Sequence, residues 1–365
     1  MTAAKCAGYK VTAIDAFADA ETTALAEAVI VVEYSTNGFK AEALLSAVKS
    51  LPLAEYSGFV YGSGLDAQPA LLSALAELLP CIGNTADTVA KVKSADVFFA
   101  ALANHYLNFP PTFLDKSAFD VALNSNVAEQ VLLKKSAGGC GGTHIQYANT
   151  EATNSNNDYF QSYLQGQSIS LLFLAAKGNI TPIGLNEQWL APGDSLPFRF
   201  GGAVSGAVLS PDVTCQLLHV AQQLTIAFGL KGLNSLDAIV QNDTVYVLEI
   251  NPRLSATFAL YEDAADIFTA HLQANVGECS YTKKASETCH AMAVVYADKP
   301  INVSSQFTWP SWVTDTPLVP EELEGIAIVA DMPVCTVTAN ARDALLAKQL
   351  AQSRVKMLLE MLKKH

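Results

Sequence analysis

The first part of the chain alternates short apolar, β-branched runs with longer amphipathic segments. Residues 11–14, 29–32 and 59–61 have the length and composition of strands. Residues 39–50 and 69–79 repeat apolar side chains at helical spacing. Strands that alternate with helices predict a parallel sheet with crossover connections.

The ends and the middle of the chain carry further signals. Residues 1–8 predict the end of a helix capped by Gly8, with no strand before it, so we expect the first strand of the N-terminal unit to be missing. We expect helices at 88–102 and 211–228, strands at 131–135, 159–164, 168–175 and 181–185, a polar loop at 149–158, and an irregular glycine- and proline-punctuated segment at 191–206. Short strands, a turn at 309–312 and a terminal helix are expected after residue 281.

An antiparallel hairpin is predicted between residues 236 and 253. The polar sequence Gln-Asn-Asp-Thr at 241–244 separates two apolar runs that are rich in β-branched side chains. Asp237 and Glu249 are each six residues from Asp243. A turn centred on Asp243 therefore places the two carboxylates opposite each other on one face, with Cβ atoms ~5 Å apart.

Two carboxylates on one face repel each other unless a cation lies between them. Magnesium prefers oxygen ligands and takes one or two carboxylates from a protein, with waters and phosphates completing its shell. Asn251 and Arg253 share the parity of Glu249, which puts an amide and a guanidinium on the same side. The alternative, a hairpin whose carboxylates face solvent, fits poorly with the apolar character of both faces.

A glycine-rich segment follows the strand that ends in Lys134 and Lys135. It runs Ser-Ala-Gly-Gly-Cys-Gly-Gly-Thr-His over residues 136–144. Glycines let backbone N–H groups approach an anion without a Cβ in the way. The segment matches neither of the common phosphate-binding glycine motifs, so taken alone it is compatible with a phosphate loop or with a bare turn.

A lysine-and-glycine loop followed by a metal-carboxylate pair resembles the ATP-grasp superfamily, over roughly residues 88–262. The resemblance implies an α/β (α+β) ATP-grasp fold that uses ATP and Mg²⁺ (or Mn²⁺). It implies nucleotide binding by Lys93, Lys135 (with Lys134 a close competitor), Ser136, Gly138, Gly139, Gly141, Gly142, Gln161, Tyr163 and Leu164, and metal binding by Asp237, Glu249 and Asn251. Gln161 stands where many members have Glu. Catalytic roles fall to Arg253 and Lys135, with help from Arg199, a lone charge in an apolar segment.

The phrases KKSAGGCGGTH, GLNEQWL, PFRFGGAVSG and LNSLDAIV look more narrowly like the predicted ATP-dependent carboligases related to biotin carboxylase, which include the tyramine–glutamate ligase type. That resemblance implies a ligase that joins a small carboxylate to an amine through an acyl-phosphate and releases ADP and phosphate. It suggests glutamate as a substrate and a place in the synthesis of a methanofuran- or methanopterin-like C1 carrier. The alternatives are a small-molecule kinase and a nucleotide-binding regulatory protein without catalysis.

The resemblance also divides the chain into three units. Residues 1–87 are expected to form a pre-ATP-grasp parallel α/β domain. Residues 88–280 are expected to form the two-lobed ATP-grasp domain, with the lobes at 88–165 and 166–280. Residues 281–365 are expected to form a small β-rich subdomain with the terminal helix.

Composition narrows the class of protein. Of 365 residues 50% are hydrophobic and 16% are charged, which is typical of packed cores. The net charge of −13 argues against nucleic acid as a partner. Apolar runs such as 171–176 are far shorter than the ~20 residues of a membrane span. The seven cysteines lack CxxC spacing and suit a reducing cytoplasm. We see no secretory signal, and the acidic surface is compatible with a homodimer.

Four more side chains have a possible functional role to weigh. Glu187 and Gln188 either line the nucleotide or acceptor site or are ordinary loop residues. His144 either touches phosphate or makes a structural hydrogen bond. Cys140 is disfavoured as a nucleophile because no partner base is identifiable near it.

Overall fold

The computed structural model describes residues 1–35, 38–124, 131–148, 157–284, 286–320 and 322–364. Most of the polar loop predicted at 149–158 lies outside these ranges. Within them, no helix has both the length and the apolar character needed to cross a membrane.

The N-terminal segment has the predicted α/β character. Strands β1 (Thr12–Asp15) and β2 (Ala28–Val31) pair in parallel, and Phe59 forms an isolated parallel bridge with Cys81 where a strand was predicted at 59–61. Gly8 adopts a left-handed φ of 87° after the first helix, as its predicted capping role requires. The elements are α1 (Thr2–Cys6), β1 (Thr12–Asp15), α2 (Ala20–Leu25), β2 (Ala28–Val31), β3 (Tyr34–Ser35), β4 (Gly38–Phe39), α3 (Ala41–Lys49), a 3₁₀ helix (Leu53–Glu55) and α4 (Pro69–Leu78).

The helix predicted at 88–102 is two helices, so that prediction is wrong. The first is α5 (Ala86–Lys93) and the second is α6 (Ala95–Asn104), because Ser94 leaves the helical region with ψ 114°. Its hydroxyl contacts the Asp96 carboxylate, and such local hydrogen bonding by serine competes with helix continuity. The break makes Lys93 the last residue of α5.

A small antiparallel sheet follows, in the order β5-β8-β6-β7. Phe119 stacks on Phe160 at a centroid distance of 4.2 Å, and Leu132 joins them in a separate small core. The elements are β5 (Thr112–Phe113), α7 (Lys116–Asn124), β6 (Leu132–Ser136), β7 (Ile145–Tyr147) and β8 (Asp158–Ser162).

The remaining described residues build an eight-stranded sheet in the order β13-β12-β9-β10-β11-β14-β18-β16. Strands from both sides of residue 280 therefore belong to one sheet. The strands are β9 (Gln167–Ala176), β10 (Asn179–Leu190), β11 (Phe200–Ser205), β12 (Gly232–Gln241), β13 (Thr244–Asn251), β14 (Cys289–Tyr296), β15 (Ile301–Ser304), β16 (Val313–Thr314), β17 (Gly325–Ile328) and β18 (Pro333–Ala341), with β15 pairing only with β17 among these strands. The helices are α8 (Pro211–Phe228), a 3₁₀ helix (Ala256–Leu260), α9 (Ala264–Asn275) and α10 (Ala344–Leu362).

Helix α8 confirms its prediction at both ends. The Ser210 side chain accepts a hydrogen bond from the Val213 N–H at the start, and Gly229 ends the helix with a left-handed φ of 62°. Its buried face, which includes Leu217 and Leu224, packs in the largest core under β9 and β12.

The segment 191–206 was predicted to be irregular, and that prediction is wrong for residues 200–205, which form the interior strand β11. A Cβ added to Gly202 would lie 2.3 Å from the Met292 carbonyl oxygen and 2.4 Å from the Trp189 ring. The glycines that suggested a loop instead allow close approach of neighbouring chains within a sheet.

Candidate active site

The hairpin turn differs from the predicted one. Asn242 and Asp243 are its two central residues, with left-handed φ values of 49° and 58°, and Gln241 pairs with Thr244. A two-residue turn with two positive φ angles matches the twist of antiparallel strands. The turn is therefore centred between Asn242 and Asp243, and the prediction of a centre on Asp243 is wrong.

Asp237 nevertheless pairs with Glu249. The register of the turn alone would pair Asp237 with Leu248 and send Glu249 to the opposite face. A bulge between Asp237 and Ala238 makes Leu248 the extra residue and shifts the register by one. The bulge is the feature that brings the two carboxylates together.

The carboxylates are surrounded by polar partners. Asn251 donates from Nδ2 to Asp237 Oδ2 at 3.0 Å, and Gln188 donates from Nε2 to Asp237 Oδ1 at 3.3 Å. Lys93 donates from Nζ to Glu249 Oε2 at 3.2 Å and to Asn251 Oδ1 at 3.1 Å. Two carboxylates, an amide oxygen and one ammonium thus share a small volume.

Burial and the charge of Glu249 both raise the pKa of Asp237. Burial also acts to raise the pKa of Glu249, but the charges of Lys93 and Lys135, and of His144 once it is protonated at low pH, outweigh it and hold that pKa below its usual range. The pair therefore behaves as two like charges that a cation would relieve. An oxygen-only set of two carboxylates and an amide fits a hard divalent ion such as Mg²⁺.

Arg253 lies beside this set and is 7% exposed. It donates from Nε to Asp66 Oδ2 at 2.7 Å, from NH2 to Asn251 Oδ1 at 3.3 Å and from NH1 to the Leu254 carbonyl at 3.1 Å. Burial acts to lower the pKa of Arg253, but Asp66 raises it, so the guanidinium stays charged. Sequence reasoning missed Asp66, because no motif surrounds it.

Lys135 projects into the site from β6 and is 6% exposed. It donates from Nζ to Gln161 Oε1 at 2.8 Å, while Gln161 donates from Nε2 to Thr112 Oγ1 at 2.9 Å. Burial lowers the pKa of Lys135 to about 8, against the opposing effects of Glu249 and Asp237. Lys134 forms an ion pair with Asp158 at 3.0 Å and does not line the cavity, so of the two competitors Lys135 faces the site.

The glycine loop, residues 136–144, borders the same cavities as Lys135 and Glu249. Gly138, Gly141 and Gly142 have φ values of 77°, 63° and 72°, and the Phe200 N–H donates to the Gly141 carbonyl at 2.8 Å. A small cavity of about 30 Å³ beneath the loop is lined by residues that include Lys93, Ser136, Gly138, Gly139, His144 and Glu249.

A larger cavity of about 620 Å³ is lined by the carboxylate pair, Lys135, Arg253 and part of the glycine loop. Such a volume suits a small-molecule ligand. Its lining includes Lys135, Gly141, Gly142, Gln161, Tyr163, Leu164, Gln188, Asp237, Glu249, Asn251 and Arg253 from the sheets and the glycine loop, together with Ser63 from the N-terminal segment and Lys348 from α10.

Residues 95–257 match the family model of the ATP-grasp domain. This part of the chain is an ATP-grasp domain. Tyramine–L-glutamate ligase of Methanocaldococcus jannaschii is 29% identical over 101 residues, which are 28% of this chain and 30% of that ligase. The alignment thus spans less than a third of the relative's own length.

Solved structures show the same fold. The biotin carboxylase domain of 2-oxoglutarate carboxylase from Hydrogenobacter thermophilus, solved with MgADP, ADP and bicarbonate, has a TM-score of 0.75 at 13% identity, covering 99% of this chain and 90% of that chain. An L-amino acid ligase from Bacillus licheniformis has a TM-score of 0.67 at 14% identity, covering 96% and 92%. The predicted α/β ATP-grasp fold is confirmed.

Arg199 does not reach the cavity of the ATP-grasp domain. It donates from NH1 to the Asp331 carboxylate at 2.8 Å and from Nε to the Ala191 carbonyl at 2.9 Å, and its guanidinium lies 3.8 Å from the centroid of the Tyr296 ring. Its neighbours in the chain, Phe198 and Phe200, line the cavity, whereas Arg199 does not. The catalytic role predicted for Arg199 therefore has no geometric support.

Glu187 and Gln188 lie in β10, so their reading as loop residues is wrong. Glu187 forms an ion pair with Lys348 at 2.7 Å at one end of the cavity. Gln188 holds Asp237, as described above.

His144 and Cys140 lie in the glycine loop of the ATP-grasp domain, and both border the large cavity. The His144 ring packs against Gly139, and burial lowers its pKa, which favours the neutral imidazole. Burial raises the pKa of Cys140, which favours the thiol over the nucleophilic thiolate.

The glycine loop offers a matched pair of substitutions. A Cβ at Gly142 would lie 1.9 Å from the Phe198 carbonyl oxygen, whereas a Cβ at Gly141 would meet no atom within 4 Å. We expect Gly141→Ala to lower the free energy of unfolding by about 1 kcal/mol, from the left-handed φ alone. Gly142→Ala adds a backbone clash and should cost about 3 kcal/mol. Urea unfolding of both variants checks this, and equal losses would contradict the described packing of the loop.

Proposed function

We propose that the protein is an ATP-dependent carboxylate–amine ligase, which forms an amide through an acyl-phosphate and releases ADP and phosphate. The observation that carries the proposal is the convergence of Lys135, the glycine loop, the Asp237–Glu249 pair and Arg253 on one cavity. The names of the ligase relatives support the reaction class. The whole protein's activity remains a proposal, because the aligned segment covers only part of the tyramine–glutamate ligase.

ATP and Mg²⁺ supply the phosphoryl group and neutralise its charge when bound. Asp237, Glu249 and Asn251 would hold the metal. Lys93 and Lys135 would bind phosphate oxygens, and the Gln161–Leu164 segment would bind adenine. In phosphoryl transfer, positioning and charge neutralisation are the main tasks of a protein.

Lys93 has a dual role in this proposal. Its ammonium lies 3.2 Å from Glu249 Oε2 and 3.1 Å from Asn251 Oδ1, two of the proposed metal ligands. The ammonium partly neutralises the Glu249 carboxylate. In the proposal it would also contact phosphate oxygens of the nucleotide.

Arg253 can hold the reacting group. Of the five N–H donors of a guanidinium, three are engaged by the described residues Asp66, Asn251 and Leu254. The other two remain for a phosphoryl or carboxylate oxygen pair, which arginine binds in a bidentate manner. The developing charge of the transferred group would meet a guanidinium that is already oriented.

The finer assignments come from the relatives and from the resemblance. Glutamate is proposed as a substrate because the similar Methanocaldococcus enzyme is a tyramine–L-glutamate ligase, and a role in C1-carrier synthesis is proposed from the resemblance described above. We also propose the division into 1–87, 88–280 and 281–365. A separate hydrophobic core in the N-terminal segment supports the first boundary. The second boundary has less support, because the eight-stranded sheet contains strands from both sides of residue 280. A homodimer and a cytoplasmic location stay proposals as well.

The test is a product assay with Mg-ATP, glutamate and a panel of aromatic and aliphatic amines. We expect ADP and phosphate to form only when an acid and an amine are both present. Reactions that lack the amine distinguish ligation from simple phosphorylation. AMP and pyrophosphate as products would overturn the proposed mechanism, and nucleotide binding without turnover on the whole panel would favour a regulatory protein.

A further inference from the structure

We propose that Asp66, a carboxylate of the N-terminal segment, is a positioning residue that orients Arg253 toward the terminal phosphate. The inference rests on the proposed function, because it assumes that the cavity binds a nucleotide triphosphate. It assigns a residue outside the matched ATP-grasp region, 95–257, to the phosphate end of the site.

The charges around Asp66 are deeply buried. Asp66 is 3% exposed, and its Oδ2 accepts from Arg253 Nε at 2.7 Å. Its Oδ1 lies 3.7 Å from Lys93 Nζ. Two buried cations side by side are costly unless an anion compensates for them. Asp66 is placed between the two and supplies that anion.

The contact also sets the orientation of the guanidinium. While Asp66 holds Nε, NH1 donates to the Leu254 carbonyl and NH2 to Asn251, which lines the cavity together with Arg253. A planar guanidinium fixed at one edge presents its remaining donors in a defined plane. Without that contact only the hydrogen bonds to Leu254 and Asn251 would hold the guanidinium, and the direction of its remaining donors would be less well defined.

Other contacts hold the N-terminal segment in place against the residues that follow β13, where Arg253 lies. The Tyr61 hydroxyl donates to the Pro252 carbonyl at 3.2 Å, and Asn84 donates from Nδ2 to the same oxygen at 2.9 Å. A Cβ on Gly138 would lie 2.8 Å from Ala67 Cα, so the glycine loop packs against the residue after Asp66. The N-terminal segment therefore touches both the residues just after β13 and the glycine loop.

The experiment compares two nucleotides. AMP-PNP carries a terminal phosphate that ADP lacks, so a residue that acts through Arg253 should affect AMP-PNP selectively. We expect Asp66→Asn to weaken Mg-AMP-PNP binding about tenfold and Mg-ADP binding by less than about twofold, as measured by calorimetry. The matched control is Asp87→Asn, which removes an exposed carboxylate paired with Lys91. It should change neither affinity.

A double-mutant cycle tests the route of the effect. Arg253→Met should show the same selective loss, and Asp66→Asn in that background should add little, because the two residues act as one unit. Equal losses for both nucleotides, no loss, or independent losses in the cycle would overturn the inference. Asp66→Glu keeps the charge but displaces the carboxylate, and it takes the place of Asp66→Asn if that variant does not fold.

The same data separate this inference from the proposed function. If wild-type protein binds neither nucleotide, the proposed function fails and this inference falls with it. If wild-type protein binds both and Arg253→Met shows the selective loss while Asp66→Asn does not, the nucleotide site stands and only the role of Asp66 is refuted.

Discussion

Replacing Glu249 with Gln is expected to lower magnesium-dependent ATP turnover by about 1000-fold while the protein stays folded. The substitution keeps the size of the side chain and removes its charge. The proposed metal would then have one carboxylate instead of two, and a hard divalent ion binds neutral amides much more weakly than carboxylates. Lys93 would still have Asp66 and Asn251 as neighbours, so the fold should tolerate the change.

The measurement combines turnover with Mn²⁺ binding in the presence of a non-hydrolysable ATP analogue. Glu262→Gln is the matched control, because Glu262 is 63% exposed and pairs with His290 away from the cavity lining. The control should keep wild-type turnover and Mn²⁺ binding. If Glu249→Gln bound Mn²⁺ as tightly as the wild type does, the hairpin carboxylates would not be the metal site.

Lys135→Met is expected to have two opposite effects. Nucleotide affinity should fall about 100-fold, because a buried ammonium that would contact phosphate is lost. The nucleotide-free protein should become more stable, by roughly 2 kcal/mol near pH 7, because a charge no longer has to be buried. A buried charge that lowers the stability of the ligand-free protein but raises its affinity for the ligand is typical of a functional site.

The stability effect should depend on pH in a definite direction. Burial lowers the pKa of Lys135 to about 8 in the folded protein, while the unfolded chain has the ordinary value of about 10.4. Between these values the unfolded chain binds more protons, so the free energy of unfolding of the wild type rises with pH. Below pH 8 the full penalty is present, and above 10.4 it is absent. The advantage of Lys135→Met should therefore be largest below pH 8 and shrink toward pH 10.

Urea unfolding at pH 7 and pH 9.5 checks this, with Lys134→Met as the matched control. Lys134 is the preceding residue in the same strand, but its ammonium pairs with Asp158 outside the cavity. The control should keep nucleotide affinity and should not gain stability. If Lys134→Met lost nucleotide affinity and Lys135→Met did not, the assignment of the two lysines would be reversed.

Local signals in the sequence were enough to predict several elements of this protein. Helix α8 was predicted with its correct ends, because Ser210, Pro211 and Gly229 act on backbone groups only a few residues away. The strand–glycine loop after Lys135 and the hairpin carrying Asp237 and Glu249 were also visible, since period-two alternation and turn residues are local properties.

Other parts depended on contacts between residues far apart in the chain. The register of the carboxylate pair depended on a bulge at Leu248, and the turn residues alone would have paired Asp237 with that leucine. Arg199 was assigned to the site because it is a lone charge in an apolar segment. Its partner Asp331 lies 132 positions away in the chain and could not be inferred from the local sequence.

The chain's own pattern of apolar, polar and turn residues thus determined the elements and the residue types available for nucleotide chemistry. Packing decided which of those residues meet. Asp66 reaches Arg253 across 187 positions of sequence, and Lys93 reaches Glu249 across 156. The physical reason is that helix caps and strand periods arise from neighbouring backbone groups, whereas the pairing of buried charges depends on which surfaces exclude water together.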